Sequence, residues 1–366
     1  MPKVLYVSHT ARIGGAEHSL LDLTAGLPQH YAPMAACPEG PLADELTRRG
    51  VSVSTIDLVR FKRTLCPACL AGYWLAWRRG VRSIAGIISE EGIDLVHANS
   101  TTAHLYAGAA AARAGVPCVW HVRDTSVPAV ARRFLRKPDA CIAISGYVAE
   151  CVRGSGCAEP MVIYNGVDLD VFHPASEPRQ PLVAMVGQLV PWKNHADFIR
   201  AAATVVKEVP ASRFLVVGSD LFGDHPDYPA RLESLARELG VAGCLEFTGH
   251  REDVPELLRT LSVLVLPSRG EPFGRVAAEA MASAVPVVAY AEGGPAEIVE
   301  HERTGILVPP GDVSGLAAGV LRLLRDPAQA RRMGEAGRAR AAEMFDCRRT
   351  AREVAAVYDR LLGGRE

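Results

Sequence analysis

Short, near-continuous apolar runs alternate with helix-length segments from one end of the chain to the other. This alternation limits the possible folds more than any other feature. In the first half the runs are "KVLYVS", "VSVSTID", "IDLVHAN", "VPCVWHV", "ACIAIS" and "MVIYNG". Between them lie stretches such as "EHSLLDLTAGL" and "HLYAGAAAARAG", with Gly or Pro at the exits. Strands that are apolar throughout, with no polar alternate face, belong to parallel sheets covered on both sides by helices. After Pro174 comes "ASEPRQP", whose polarity and prolines read as a linker. The pattern then restarts with "LVAMVGQL", "SRFLVVGS", "GCLEFTG", "SVLVLPS", "VPVVAY" and "GILVPP". A chain of 366 residues is long for a single domain. The restart predicts two doubly wound α/β domains, residues 1–175 and 181–346, with helical segments ending the chain. Such sheets bind ligands beyond the carboxyl ends of their strands, so the ligand is expected in a cleft between the two.

Composition removes several function classes. The 40 Lys and Arg nearly balance 41 Asp and Glu, a net charge of −1, where a dedicated nucleic-acid binder carries a basic surplus. No nucleic-acid partner is expected. The longest apolar stretches, such as "LSVLVLP" from Leu261 to Pro267, fall far short of the ~20 residues of a membrane-spanning helix. "MPKVLYVSHT" reads as a first strand and leaves no room for a secretory leader, so a cytoplasmic protein is expected. Nine cysteines at irregular spacing fit free thiols in that compartment. A zinc site usually needs two closely spaced cysteine pairs or added histidines; beside Cys66/Cys69 the second pair, Cys151/Cys157, is too widely spaced, and no metal is expected there.

The chemistry gathers around a few charged residues. The dinucleotide fingerprint G-x-G-x-x-G is absent after the first strand; the pair Gly14-Gly15 stands there instead, opening a helix whose N-terminus attracts anions. In the second half, "PSRGEPFGRVAAEAMASAVPVVAYAEGGPAEIVEHERTGILVPPGD" sets Glu271 in a loop and Glu279 eight residues later in a helix. Eight helical residues span up to ~12 Å, which suits two carboxylates holding separate hydroxyl-bearing parts of one elongated ligand. Gly274 and the helix start between them suit a diphosphate. Only five lysines occur in the chain, and one of them, Lys193 in "VGQLVPWKN", follows a strand end where a cation can balance phosphate charge.

These residues carry a resemblance. "GGAEHSL", "LVHANS", "WHVRD", "YNGVDLDVFHP", "GQLVPWKN", "FTGHREDVPELL" and the Glu-x7-Glu block with its "GGPAEIV" continuation resemble the retaining family-4 glycosyltransferases. That family has the GT-B fold, two Rossmann-like domains around a cleft. The resemblance implies that a C-terminal helix, about 347–366, packs back on the N-terminal, acceptor-side domain. A nucleotide-diphosphate sugar would be held mainly by the C-terminal domain, with no further cofactor. The acceptor hydroxyl would sit on a cell-surface polysaccharide, a lipid-linked glycan or a natural product. The acceptor itself is not legible.

Residue by residue, the resemblance implies that Glu279 receives the ribose hydroxyls and Glu271 orients the transferred sugar. Lys193 would offset leaving-group charge on the diphosphate. Phe273 and Gly274 would offer backbone N–H groups, Gly15 would do so from the other domain, and His121 would lie near the sugar. One position departs from the family. Gln188 follows Gly187 where many members carry an arginine, leaving Arg251, Arg269 or Arg275 as candidates to compensate. Asp168 and Asp170 form an Asp-x-Asp pair like the metal-binding motif of the other main glycosyltransferase fold; here Asp168 is expected to be structural and no metal is expected. Two alternatives stay open: a nucleotide-sugar epimerase or phosphorylase on the same fold, and a non-catalytic sugar-nucleotide binding module.

One further stretch bears on partners. Between Asp57 and Glu90 there is no acidic residue, while Arg60, Lys62, Arg63, Arg78, Arg79 and Arg82 are basic. Leu70, Trp74, Trp77, Val81, Ile84 and Ile88 recur there at helical spacing. The stripe is either the buried face of a sheet-packing helix or part of a basic surface for an anionic acceptor or the inner face of the membrane. "RRFLRK", Arg132 to Lys137, adds a second basic cluster.

Overall fold

The computed structural model describes the chain apart from residues 61–65, 128–134, 156, 158, 176–179 and 364–366. Lys62, Arg63, Arg132, Arg133 and most of the expected linker therefore lie outside the described residues. The chain divides into two compact units, Met1–Gly166 with Cys347–Glu366, and Val167–Asp346. The boundary expected at 175 thus falls inside the second unit. Val167 is bound there, its N–H donating to the Phe345 carbonyl at 2.7 Å.

The first unit runs β1 (Lys3–Val7), α1 (Gly15–Gly26), β2 (Ala32–Cys37), α2 (Pro41–Arg48), β3 (Ser52–Thr55) and α3 (Pro67–Glu91). It continues with β4 (Leu95–Ala98), α4 (Thr101–Ala114), β5 (Cys118–Val122), β6 (Ala140–Ala143), α5 (Gly146–Val152) and β7 (Met161–Val162). The second unit holds β8 (Leu182–Val186), α6 (His195–Glu208), β9 (Arg213–Val217), α7 (Tyr228–Glu238), β10 (Leu245–Gly249), α8 (Val254–Thr260) and β11 (Val263–Leu266). After these come α9 (Arg275–Ala282), β12 (Val287–Tyr290), α10 (Pro295–Ile298), β13 (Gly305–Val308), α11 (Val313–Arg325) and α12 (Pro327–Met344). Helix α13 (Cys347–Gly363) returns to the first unit.

The strand orders are β3-β2-β1-β4-β5-β6-β7 and β10-β9-β8-β11-β12-β13, and the pairings are parallel. Each order reverses direction once, between β1 and β4 and between β8 and β11, and that is where a doubly wound sheet opens a ligand crevice. The strand faces meet helices on both sides. Val4, Leu95, Val119 and Ile142 pack with Leu20, Leu23 and Val354 in the first unit. Val183, Val265 and Val288 pack with Phe198, Leu316 and Val320 in the second. Helix starts follow local chemistry: Ser100 Oγ accepts from the Ala103 N–H at 3.1 Å and Asp326 Oδ1 from the Gln329 N–H at 2.9 Å. Helix ends do too, with Gly92 and Gly115 in the left-handed region at φ 63 and 72°.

Two findings differ from the sequence reading. Strand β2, "APMAAC", is absent from the expected strands because it contains no β-branched or aromatic residue. Its place between β1 and β3, rather than its propensity, makes it a strand. Cys141 of β6 is joined to Cys157 in a disulfide, so the expectation that all nine cysteines are free thiols is corrected to seven. A separation of 16 residues carries no local signal; the chain brings Cys157 back beside β6 on its way to β7.

Candidate active site

The second unit gathers the charged residues at its switch point. Strand β8 ends at Val186 and passes through Gly187, whose carbonyl lies where a Cβ on Gly218 would sit, 1.9 Å away. Gly218 keeps its place because only glycine allows this approach at φ 136°. A tight turn, Pro191–Lys193, then redirects the chain. Asn194 follows in the left-handed region and donates from Nδ2 to the Pro267 carbonyl at 3.1 Å, tying the turn to the end of β11. The turn therefore delivers Lys193 to the loop after β11, where Lys193 Nζ donates to Glu271 Oε2 at 2.6 Å. Lys193 is 9% exposed and Glu271 6%, so the two charges neutralise each other away from solvent. Lys193 Nζ also lies 4.6 Å from the centre of the Trp192 ring.

The loop carrying Glu271 is clamped from below by the "GGPAEIV" segment. The Gly294 N–H donates to the Glu271 carbonyl at 2.8 Å. A Cβ on Gly293 would come within 2.5 Å of that carbonyl oxygen, and one on Gly294 within 2.3 Å of Phe273 Cα. Glu292 accepts from the Gly270 N–H at 3.0 Å and from Arg269 Nε at 2.8 Å. Helix α9 starts directly after Gly274, at φ 89°, so its positive end faces the same loop. Glu279, one turn into α9, accepts from Arg275 Nε at 2.7 Å. Lys193, Glu271, Gly274, Arg275 and Glu279 are thus joined by one loop and one helix. Phe273 points into the core, edge-on to Phe345 at 5.8 Å, so its side chain does not face a ligand.

Three arginines were candidates to replace the cation missing at Gln188. Each is paired with a carboxylate of its own unit: Arg251 with Asp253, Arg269 with Glu292 and Arg275 with Glu279. Arg251 stands after the edge strand β10, away from the switch point. Gln188 is half-buried, and its carbonyl accepts from the Val190 N–H at 2.9 Å. Asp168 Oδ1 accepts from the Asp170 N–H at 2.9 Å, closing a turn.

In the first unit, Gly15 opens α1, and a Cβ there would meet nothing within 4 Å, so internal packing does not require glycine at this position. His121 lies on β5 and is buried. Its Nδ1 is 3.1 Å from His97 Nε2 and 3.4 Å from Arg123 Nη2. Its Nε2 is buried with no hydrogen-bond partner. Burial, with Arg123 nearby, holds His121 well below the usual histidine range and brings His97 down to about 3, so both rings are neutral.

Several polar residues around these positions went unread in the sequence. Glu17 is buried and accepts from the Gly14 N–H at 3.1 Å, and its burial raises its pKa. The three-residue spacing from Gly14 is a capping signal that could have found it. Arg123 donates to Asn99 Oδ1 at 3.0 Å and to Asn165 Oδ1 at 2.7 Å, contacts between distant segments that leave no local pattern. Among the described residues no helix is long and apolar enough to cross a membrane.

Comparison with known proteins matches both units. Residues 13–171 match the family model for Glycosyltransferase Family 4, and residues 168–340 that for Glycosyl transferases group 1. The glycogen synthase of Mycobacterium tuberculosis is 34% identical over 242 residues, covering 63% of this chain and 56% of that protein. A D-inositol 3-phosphate glycosyltransferase of Streptomyces avermitilis is 32% identical over 305 residues, covering 78% and 63%. The chain therefore spans less than two thirds of the length of these curated relatives. Among solved structures, HepE of Anabaena in complex with UDP and glucose aligns with a TM-score of 0.84 at 25% identity, over 98% of this chain and 100% of that one. Sucrose-phosphate synthase of Thermosynechococcus elongatus aligns at 0.82 and 23% identity, over 100% of each chain. With one family match on each of two parallel-sheet units, the chain belongs to the family 4, group 1 glycosyltransferases of the GT-B fold.

Proposed function

We propose that this protein transfers a sugar from a nucleotide-diphosphate sugar to an acceptor hydroxyl, with retention at the anomeric carbon and without a metal. The observation that carries the proposal is the buried Lys193–Glu271 pair at the β8/β11 switch point, with Glu279 on the helix that starts beside it. A diphosphate at the start of α9 would meet the positive helix end and Lys193 together. Glu279 would accept from the ribose hydroxyls, and Glu271 would orient the sugar while holding Lys193. The backbone N–H groups of Phe273 and Gly274 would face phosphate and sugar, with Gln188 and Arg275 beside them and Arg251 at the margin.

As the glycosidic bond breaks, the electron pair stays on the diphosphate oxygen, and Lys193 stabilises that charge more strongly than in the ground state. The acceptor attacks from the face the diphosphate leaves, and its proton passes to the departing phosphate. Neither glutamate acts as a glycosidase-type carboxylate. HepE supplies the first donor class to test, since its solved complex contains UDP and glucose.

The test is incubation of the purified protein with UDP-, GDP- and dTDP-sugars, with and without EDTA, followed by NMR. Release of nucleoside diphosphate with an unchanged anomeric configuration, insensitive to EDTA, is the expected result. Inversion at sugar C2 would reveal an epimerase instead, and binding without turnover a non-catalytic module.

The first unit also supports a membrane contact, at the inner face of a bilayer. From Trp77 onward α3 packs on α4: Trp77 Nε1 donates to the Leu105 carbonyl at 2.8 Å, and Gly80 lies against Tyr106. Val81, Ile84 and Ile88 are buried, so this half of the stripe is an ordinary packing face. The preceding turns are different. Leu70, Trp74 and Leu75 are 39%, 47% and 44% exposed, and Arg78, which lies over the Trp74 ring, is exposed beside Arg79 and Arg82. Exposed apolar side chains followed by cations suit an anionic lipid surface.

A further inference from the structure

The sequence Cys66-Pro67-Ala68-Cys69, which opens α3, takes no part in the function proposed above. Among the described residues seven cysteines stand outside a disulfide. Cys37 and Cys118 are buried, Cys151, Cys244 and Cys347 are half-buried, and Cys66 and Cys69 alone are exposed. Burial also raises the pKa of Cys37, Cys118 and Cys244, which keeps those thiols protonated and slow to react. A thiol reagent in solution therefore meets Cys66 and Cys69 first.

Local geometry makes these two a reacting pair. Cys66 is the N-cap of α3, in extended backbone at φ −69° and ψ 117°, and Cys69 is the third residue of the helix. The Leu70 N–H donates to the Cys66 carbonyl at 3.0 Å, so the first turn is formed. Residues three apart on a helix have Cβ atoms about 5–6 Å apart, and a disulfide needs about 3.5–4.5 Å. Rotation at the extended N-cap can close that gap without unwinding the helix. The Cys69 N–H and thiol, and to a smaller extent the Ala68 N–H, stabilise the Cys66 thiolate and lower its pKa below the ordinary thiol value. The first turn carries no acidic residue to oppose them. Among the described residues no group of three or more His, Cys, Asp or Glu could hold a metal ion, so the pair has no third ligand.

We propose that Cys66 and Cys69 are a redox-active dithiol that closes reversibly to a disulfide by exchange with small-molecule disulfides such as oxidised glutathione, with Cys66 as the attacking sulfur. The Cys66 thiolate attacks one sulfur of the disulfide RSSR, forming a mixed disulfide with SR and releasing RS⁻. Cys69 then attacks the Cys66 sulfur and expels the second RS⁻. The protons lost by the two cysteines end on the two released thiols. In net terms the protein dithiol is oxidised by two electrons and RSSR is reduced to two RSH. A small dithiol such as dithiothreitol runs the sequence backwards. This exchange is an activity of the first unit alone and needs neither the sugar donor nor the second unit.

The experiment is incubation of the purified, reduced protein with oxidised glutathione at pH 7, acid quenching and peptide mapping by mass spectrometry. The wild type should form a Cys66–Cys69 disulfide before any other cysteine reacts, and dithiothreitol should open it again. Cys69→Ser leaves the attacking sulfur without its resolving partner, while the serine hydroxyl still donates towards it. This variant should accumulate glutathione on Cys66. Cys66→Ser should take up glutathione on Cys69 more slowly. A tenfold gain in thiolate is partly offset by the lower nucleophilicity of a more acidic thiol, so the two rates should differ about threefold. Both positions are exposed, and melting temperatures within about a degree or two of wild type show that the variants fold. Separate glutathione adducts on Cys66 and Cys69 with no bond between them overturn the pairing, as does earlier modification of another cysteine. Equal rates in the two variants, or a faster Cys66→Ser, overturn the role of Cys66 as the attacking sulfur. No sugar donor enters the experiment, so its outcome is independent of the proposed transfer.

Discussion

Lys193 and Glu271 form a buried pair whose value depends on both members being present. Removing one partner leaves the other charged and desolvated, at a cost of about 3–5 kcal/mol, whereas replacing both by apolar groups is often neutral. Lys193→Ala should therefore destabilise the protein more than the double variant Lys193→Met/Glu271→Leu does, as urea unfolding measures; equal losses would contradict the pairing. The same single variant should lower turnover by about a hundredfold or more, with a smaller effect on donor KM, because the cation acts on charge that grows as the bond breaks. A raised KM at constant kcat would make Lys193 a simple binding group. Glu279 has a different task. Its contact with Arg275 fixes its orientation, so Glu279→Ala should weaken binding of a nucleoside diphosphate by about 10–100-fold, the worth of a charge-assisted hydrogen bond. Titration calorimetry with UDP tests this, and wild-type affinity in the variant rules out the ribose role.

At the scale of elements, the "GGPAEIV" segment and the start of α3 make opposite demands. Gly294 has φ −56°, so alanine there is not strained; the obstacle is Phe273, whose Cα lies 2.3 Å from where a Cβ would stand. Gly294→Ala should push the Glu271–Gly274 loop outward and cost about tenfold or more in UDP affinity, the range of an overpacked contact. Retained affinity would show that the loop yields without moving its ligand groups. The first turns of α3 carry no such constraint. Trp74→Ser with Leu75→Ser should leave the melting temperature within about a degree or two, as exposed positions do. Binding to anionic vesicles should nevertheless fall, and Arg78, Arg79 and Arg82→Ser should lower it further in a salt-dependent way. Vesicle sedimentation at low and high salt gives the answer; identical binding by wild type and variants would leave this end of α3 a solvated helix face.

At the scale of the whole molecule, both units carry histidines buried as neutral rings. Burial brings His97 to about 3 and His104 to about 4 in the first unit, and His195 to about 3 in the second, where Lys193 adds to the effect. In the unfolded chain each titrates near 6.5. Between that value and the folded one, the unfolded state binds a proton that the native state does not. Stability is therefore full above about pH 6.5 and falls below it, by up to about 1.4 kcal/mol per pH unit for each ring. Urea unfolding at pH 7.5, 6.5 and 5.5 should show a midpoint that drops between the last two. A constant midpoint would mean that the rings protonate in place.

The two-unit α/β plan was legible because it rests on local information. Continuous apolar runs of strand length, separated by helical spacing and restarting after Pro174, state which faces are buried whatever lies against them. Lys193 and Glu271 stood out for a similar reason, a rare lysine and a loop carboxylate among glycines just after strand ends, whereas Glu279 entered through the Glu-x7-Glu spacing and the resemblance that it carries. What the tertiary structure alone decided are relations between distant segments. The Lys193–Glu271 pair joins residues 78 positions apart, and Tyr358 meets His97 across 261. β2 is a strand because of its neighbours and not its residues, and Cys141 finds Cys157 through the path of the chain. The exposed and buried halves of the α3 stripe share one spacing, and only the position of α4 separates them. Periodicity records that a face is covered. The identity of the partner depends on how loops close and sheets order, which no short stretch of sequence contains.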